Sequence, residues 1–362
     1  MQNNHKNSNR SSSGHNGVVT INDVARHANT SIATVSRVLN NPEYKVSDAL
    51  RKRVLDAVAE LNYSPNLAAR SLRGKKSNMV GVVIPSISNP FYQQTILGIE
   101  NVLDPIGYHI VLHNTEYDAQ KERRILENLY DMFVSNVILS SVDPSSKFLQ
   151  SLAGQGMRFI FLDQNSDING SSCISFDAKK GARIATNYLI NQGHRDIVFA
   201  TTPLTRWTRL EIYKGYKEAL ANAGIKLRDS FVFVGDDSEI LDRQNLELEI
   251  GRQLGNRFYD EKCPATAVLC INDMLAISFM SAINRRGINV PEDVSVIGFD
   301  DIQLAEYTTP PLTTIRYTSY DVGRLAGMML TESISEDKPF DLQMHVTPQL
   351  IVRRSVKEIS SD

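Results

Sequence analysis

Residues 20–40, TINDVARHANTSIATVSRVLN, decide the architecture of the head, because they hold two short helices separated by a single turn. Thr20 followed three residues on by Asp23 makes a capping-box-like start, with Asp in place of the usual Glu. Ile21, Val24, Ala25 and Ala28 then recur at helical spacing and form one apolar face. Asn29 tolerates left-handed backbone geometry, so the first helix stops near it. Ser31 opens a second helix, running to about Asn40, that buries Val35 and either Val38 or Leu39. That leaves Ile32, Ala33, Ser36, Arg37 and Asn40 facing outward. A third amphipathic stretch starts after Ser47 and carries Leu50, Val54, Ala57, Val58 and Leu61 on one side, closing a three-helix module.

The outward face of the second helix has the chemistry of a DNA reader. Ser31 can direct the helix start at a phosphate, and Arg37 offers a planar fork suited to guanine O6 and N7 in the major groove. Ile32 and Ala33 suit contact with a thymine methyl. Charge points the same way. Residues 18–77 hold 10 Lys and Arg against 5 Asp and Glu, and Lys6 and Arg10 precede them, so within a chain of net charge −2 the remaining residues 78–362 carry −9. A basic head displaces condensed counterions from a phosphate backbone, while an acidic body avoids nonspecific adhesion.

The segments Thr20-Ile21-Asn22-Asp23-Val24-Ala25 and Thr34-Val35-Ser36-Arg37-Val38-Leu39-Asn40 are continued by Leu61-Asn62-Tyr63-Ser64-Pro65-Asn66 and Ala69-Arg70-Ser71-Leu72. Together they resemble the N-terminal signature of the lactose/galactose-repressor (LacI/GalR) family. Asn29-Thr30 departs from the Gly-Val that many members carry at the turn. The resemblance implies a repressor that binds a pseudo-palindromic double-stranded DNA operator with a central CpG step as a homodimer, under allosteric control by a small molecule. It implies base reading by Ile32, Ala33 and Arg37, with Thr20, Ser31, Thr34, Ser36 and Asn40 beside them.

Residues 64–74 have a helical reading of their own. Ser64 is a plausible N-cap, Pro65 fits the first helical position and Gly74 a stop, so about two turns form, too few to persist in water unless docked. The resemblance makes this the hinge helix, with Asn66, Ala69, Leu72 and Arg73 at DNA and Leu72 wedged between base pairs of the minor groove.

From Met79 the pattern becomes apolar strands alternating with amphipathic helices. Strands are predicted over 79–84, 109–112, 137–139, 159–162, 173–176, 197–200, 231–234, 267–270, 294–299 and 345–352, with helices between most of them. Such alternation gives parallel sheets that bind ligands at the carboxyl ends of their strands. The resemblance adds a two-lobed fold like that of periplasmic sugar-binding proteins, with a ribose-repressor-like effector domain. The expected plan is a disordered polar tail over 1–17, a helix-turn-helix domain over 18–63, a hinge helix and linker over 64–77, an effector-binding and dimerisation core over 78–355, and a short tail over 356–362. Within the core, one lobe is expected to combine 78–176 with 306–335, and the other 177–305 with 336–355.

A sugar needs donors and acceptors in fixed pairs for its hydroxyls and an apolar plate for its C–H face. Asp163, Asn272 and Asp300 can supply the first, and Phe91 or Tyr92 the second. By family position the cleft residues are Asn89, Phe91, Asp163, Asn272 and Asp300. The family also implies an arginine near the start of the helix leading into Gly215-Tyr216, where the register leaves Arg206, Arg209 or neither. Asp163-Gln164 lacks the basic residue that follows the Asp in ribose-binding relatives.

Other chemistries lack their signatures. There is no G-x-G-x-x-G, P-loop or G-x-S-x-G, so neither a nucleotide cofactor nor a catalytic serine is expected. Cys173, Cys263 and Cys270 lack metal-ligand spacing and read as free thiols. His109 and His113 belong to a strand pattern without the Glu of a zinc-protease helix. No apolar run spans a membrane and the first residues lack a secretory h-region, so a cytoplasmic location is expected. The alternative to a repressor is a sugar-binding protein whose helical head serves some other contact.

Overall fold

The computed structural model describes residues 19–41, 43–63, 77–143, 145–238, 240–336 and 341–359. It divides into two compact units, Met1–Lys76 and Ser77–Asp362.

In the first unit, helix α1 (Ile21–His27) opens with the Thr20 backbone N–H and hydroxyl both donating to the Asp23 carboxylate, at 2.9 and 2.7 Å. Asn29 adopts φ 47°, and the Thr30 N–H reaches back to the Ala25 carbonyl at 2.9 Å, which ends the helix where an Asn is needed. Ser31 and Ser47 cap α2 (Ile32–Asn40) and α3 (Asp48–Glu60) through their hydroxyls. Val24, Ala25, Ala28, Val35, Val38, Val54 and Ala57 form the buried centre, with Leu39, Leu50, Val58 and Leu61 packed at its margin. Of the two alternatives on α2, Val38 is the one fully buried. The proposed tail over 1–17 and the hinge residues Ser64, Pro65, Asn66, Ala69, Leu72, Arg73 and Gly74 lie outside the described residues.

The second unit is built on two six-stranded sheets. The first contains β1 (Met79–Ile84), β2 (His109–Asn114), β3 (Asn136–Leu139), β4 (Arg158–Leu162), β5 (Ser172–Phe176) and β11 (Gln343–Val346), in the order β11-β5-β4-β3-β1-β2 and parallel throughout. The second contains β6 (Ile197–Thr201), β7 (Val232–Val234), β8 (Ala267–Cys270), β9 (Ser295–Asp300), β10 (Thr313–Arg316) and β12 (Gln349–Ile351), in the order β12-β10-β9-β8-β6-β7. Only β12 runs antiparallel, against β10. The strands read as near-continuous apolar runs because helices cover both faces of each sheet. In each sheet the strand order reverses, at β1 between β2 and β3 and at β6 between β7 and β8, which places a crevice at the carboxyl ends.

The expected division of the lobes is corrected at the C-terminal end. Residues 313–316 form β10 in the second sheet, not the first, and residues 343–346 form β11 in the first. The single strand expected over 345–352 is two strands in different sheets. Pro348 has no N–H to give a ladder, so pairing breaks there and the chain crosses over. The lobes are therefore joined by three crossings, after β5, after β10 and after β11, all at the same edge of each sheet. Helix α12 (Ser319–Glu336) lies between the last two and packs on α4 (Pro90–Leu103) in the first lobe. The two helices approach through Gly98 and Gly323. A β-carbon at Gly98 would collide with the Tyr320 carbonyl, and one at Gly323 with the Thr95 carbonyl.

Candidate functional site

On the head, Ile32, Ala33, Arg37 and Ser31 are exposed on α2, Ile32 to 39 % although apolar. Thr34 and Ser36 are half-buried beside them, Asn40 is the last residue of α2, and Thr20 is exposed at the start of α1. Ser31 Oγ accepts from the Thr34 N–H at 3.1 Å and lies 2.8 Å from the Thr34 hydroxyl. Arg37 is held against Tyr44, to whose hydroxyl it donates at 3.2 Å, with its guanidinium carbon 5.5 Å from the ring centre. Arg51 in turn donates to the Tyr44 carbonyl at 2.7 Å. Sequence reasoning missed Tyr44, which stands in a turn where no periodicity marks it. The effect is an arginine fork pre-set on an exposed helix face.

In the body, seven of the eight residues expected at a cleft line one cavity between the sheets: Asn89, Phe91, Tyr92, Asp163, Arg209, Asn272 and Asp300. Each sits at or just past a strand's carboxyl end or at the start of the helix that follows. Asn89 caps α4, its Oδ1 accepting from the Phe91 N–H at 3.0 Å. Asn272 caps α10 (Asp273–Asn284) by accepting from the Leu275 N–H at 2.9 Å. For both asparagines the capping bond fixes the carboxamide and turns its NH2 to other work.

That work is done at Glu247, near the start of α9 (Leu246–Asp260), a residue no sequence motif marked. Asn89 Nδ2 donates to Oε2 at 2.9 Å, while Arg209 and Asn272 Nδ2 donate to Oε1. Asn89 comes from the first lobe and the other three from the second, so one buried carboxylate ties the lobes together. Arg206 makes a second tie. It donates to Ser140 Oγ at 3.0 Å and, more distantly, to the Tyr92 hydroxyl at 3.4 Å, and lies 3.5 Å from Asp163. Both arginines left open by the sequence thus enter the network, Arg209 inside the cavity and Arg206 at its border. Ile212, three residues before Gly215, also lines the cavity.

Phe176, Phe299 and Tyr317 complete an aromatic wall beside Phe91. Phe91 meets Phe176 edge-on at 5.7 Å, and Phe176 stacks on Tyr317 at 4.2 Å. Asp163 and Asp300 adopt φ 60° and 107°, conformations that L residues seldom take and that cluster at functional sites. Burial lifts the Asp163 carboxyl above the ordinary range against the pull of Arg206 and Arg209. Asp300 is raised further, by burial and then by Asp273 and Glu247 nearby. Arg209 Nε and the hydroxyls of Tyr317 and Tyr117 are buried without a hydrogen-bond partner.

This architecture has relatives of known role. Residues 20–66 match the bacterial regulatory proteins of the lacI family, and residues 186–356 match a periplasmic binding protein-like domain. The chain is 32 % identical to the HTH-type transcriptional repressor PurR of Photobacterium profundum, across 95 % of this chain and 100 % of that protein. Its fold is similar to that of the lac repressor dimer bound to operator and the anti-inducer ONPF, with TM-score 0.78 and 27 % identity over 94 % of this chain and 100 % of that one. It is also similar to a LacI family transcriptional regulator from Enterococcus faecium with bound ribose, with TM-score 0.65 and 26 % identity over 78 % of this chain and 100 % of that one. The chain belongs to the lacI family of bacterial regulatory proteins. It is a DNA-binding transcription regulator with an N-terminal helix-turn-helix and a C-terminal effector-binding fold.

Proposed function

We propose that the protein is a repressor that reads a pseudo-palindromic operator as a homodimer and is switched by a sugar bound between the lobes of the body. Arg37, Ile32 and Ala33 read bases, Thr20, Ser31, Thr34, Ser36 and Asn40 position the helix, and Asn66, Ala69, Leu72 and Arg73 act at the minor groove. The effector engages Asn89, Phe91, Tyr92, Asp163, Arg206, Arg209, Asn272 and Asp300, together with Glu247 and Tyr317. The observation that carries the effector reading is the pair of unpartnered buried donors on the cavity wall, Arg209 Nε and the Tyr317 hydroxyl. Most buried polar groups are paired, so two unpartnered donors on residues that line a cavity with Asp163, Asp300 and an aromatic wall fit a polyhydroxyl ligand.

No step of chemistry is needed for this role, and the relatives are transcription regulators rather than enzymes. Among the described residues no helix is long and apolar enough to cross a membrane. The ligand acts by preferring one lobe arrangement, which shifts the population competent for DNA. Selection of bound duplexes from a random library by the full-length protein should enrich an inverted repeat. Operator affinity should then change when a bound sugar is added. Enrichment of a single half-site, or an affinity indifferent to a sugar shown to bind, would contradict the proposal.

A further inference from the structure

We infer that the effector is an amino sugar, held through its ammonium group by Asp300. This rests on reading the cavity between the sheets as a sugar site. Its lining includes three carboxylates, Asp163, Glu247 and Asp300, and one guanidinium, Arg209, with Arg206 at the border. Both cations are already matched, Arg209 to Glu247 at 3.2 Å and Arg206 to Asp163 at 3.5 Å. Glu247 also accepts from Asn89 and Asn272, and Asp163 from the Thr208 hydroxyl at 3.4 Å. Asp300 is left over. Among the described residues its carboxylate accepts no hydrogen bond and pairs with no cation, while Asp273, Glu247 and Asp163 act on it against Arg209. A carboxylate taken out of water without a counter-charge is costly. A sugar hydroxyl would bring Asp300 a hydrogen bond, whereas an ammonium brings donors and the missing charge together.

The rest of the lining fits such a ligand. Tyr317 and Arg209 are only 6 % and 7 % exposed, and each keeps a buried polar atom, the hydroxyl and Nε, without a partner. Asp163 and Asp300 both act on the Tyr317 hydroxyl, yet it bonds to neither. Polar groups of a ligand can bridge that gap, the ammonium donating to Asp300 while ring and hydroxyl oxygens accept from Tyr317 and Arg209. Phe91, Phe176 and Phe299 line the same space, and aromatic faces attract a cation as well as the C–H face of a sugar. A phosphate or carboxylate ligand would instead meet three carboxylates with both guanidinium groups engaged.

The full-length protein is titrated by calorimetry with glucosamine, galactosamine and mannosamine, with their neutral parents glucose, galactose and mannose, and with their N-acetyl derivatives. The parents are smaller than the amines allow for and the N-acetyl forms larger, so the two controls separate charge from size. At least one amine should bind about tenfold or more tightly than both its parent and its N-acetyl form, as a charge-assisted bond replaces a neutral one. This comparison needs no variant. Asp300→Asn removes the charge in a residue that tolerates left-handed backbone, and should bring the ratio close to one. A ratio below about tenfold in the unaltered protein, or one that survives Asp300→Asn, overturns the ammonium site while leaving the sugar site standing. Binding of none of these sugars overturns the sugar reading itself, and this inference with it.

Discussion

Asn89 and Glu247 are 158 residues apart in sequence and 2.9 Å apart across the cleft, the amide of one lobe donating to a carboxylate of the other. The same carboxylate receives Arg209 and Asn272, so a single side chain takes part both in the contact between lobes and in the polarity of the cavity.

Replacing Glu247 by Gln should therefore cost about 3 kcal/mol of folding stability, because it leaves the buried Arg209 guanidinium without its counter-charge. Urea unfolding of the full-length protein measures this. A loss below about 0.5 kcal/mol, within the range of an ordinary surface change, would show that Arg209 is not held by this pair.

On the head, Arg37→Lys should keep the charge and lose the fork. Specific operator binding should weaken by about 1–3 kcal/mol, with discrimination relaxed at one base pair per half-site. Affinity for random duplex should hardly move. Competition binding at fixed salt separates the two, and parallel losses on both DNAs would mean that Arg37 touches only phosphate.

Two glycine substitutions should diverge. Gly323→Ala places a methyl against the Thr95 carbonyl and should destabilise by about 1–3 kcal/mol through the displaced α4–α12 contact. Gly154→Ala, at the end of α6 (Ser146–Gly154), meets no atom within 4 Å and should be neutral or stabilising by about 0.5 kcal/mol. Thermal melts compare them directly, and similar melting points would remove the close helix approach as a determinant.

Asp273 supplies a pH dependence. Its buried carboxyl accepts from Thr314 and from the Ile302 N–H, and burial raises its pKa from 3.8 to about 8. The folded protein keeps a proton there that the unfolded chain releases, so this group's contribution to stability falls as pH rises from about 4 to about 8 and then levels off. Asp273→Asn should flatten the decline between pH 5 and 8. An unchanged slope would mean that the proton uptake belongs to other groups, such as Asp300 or Asp163.

The local parts of this molecule were legible in the sequence because their causes are local. Thr20, Asn29, Ser31 and Ser47 stand where helices start or stop, and the apolar runs of β1, β3, β4, β6 and β8 announce buried parallel strands. What escaped depended on distant partners. Glu247 is an ordinary acidic residue in an amphipathic helix until folding brings Asn89 and Asn272 to it. β10 begins Thr313-Thr314, polar residues that are wholly buried because Asp273 and the returning chain satisfy them. Arg206 and Arg209 could not be told apart by register because the structure uses both.

The three crossings after β5, β10 and β11 give the body the mechanics of a bound book. Its spine is the β11–β5 edge of one sheet and the β12–β10 edge of the other, and its pages open widest along β2 and β7. One proteolytic cut at the spine leaves two covalent links, so a nicked body should stay together and still close. A label near Asn114 and one near Val234 would travel further on opening than any pair placed at Phe176 and Arg316, and that makes the free edges the place to watch the switch move.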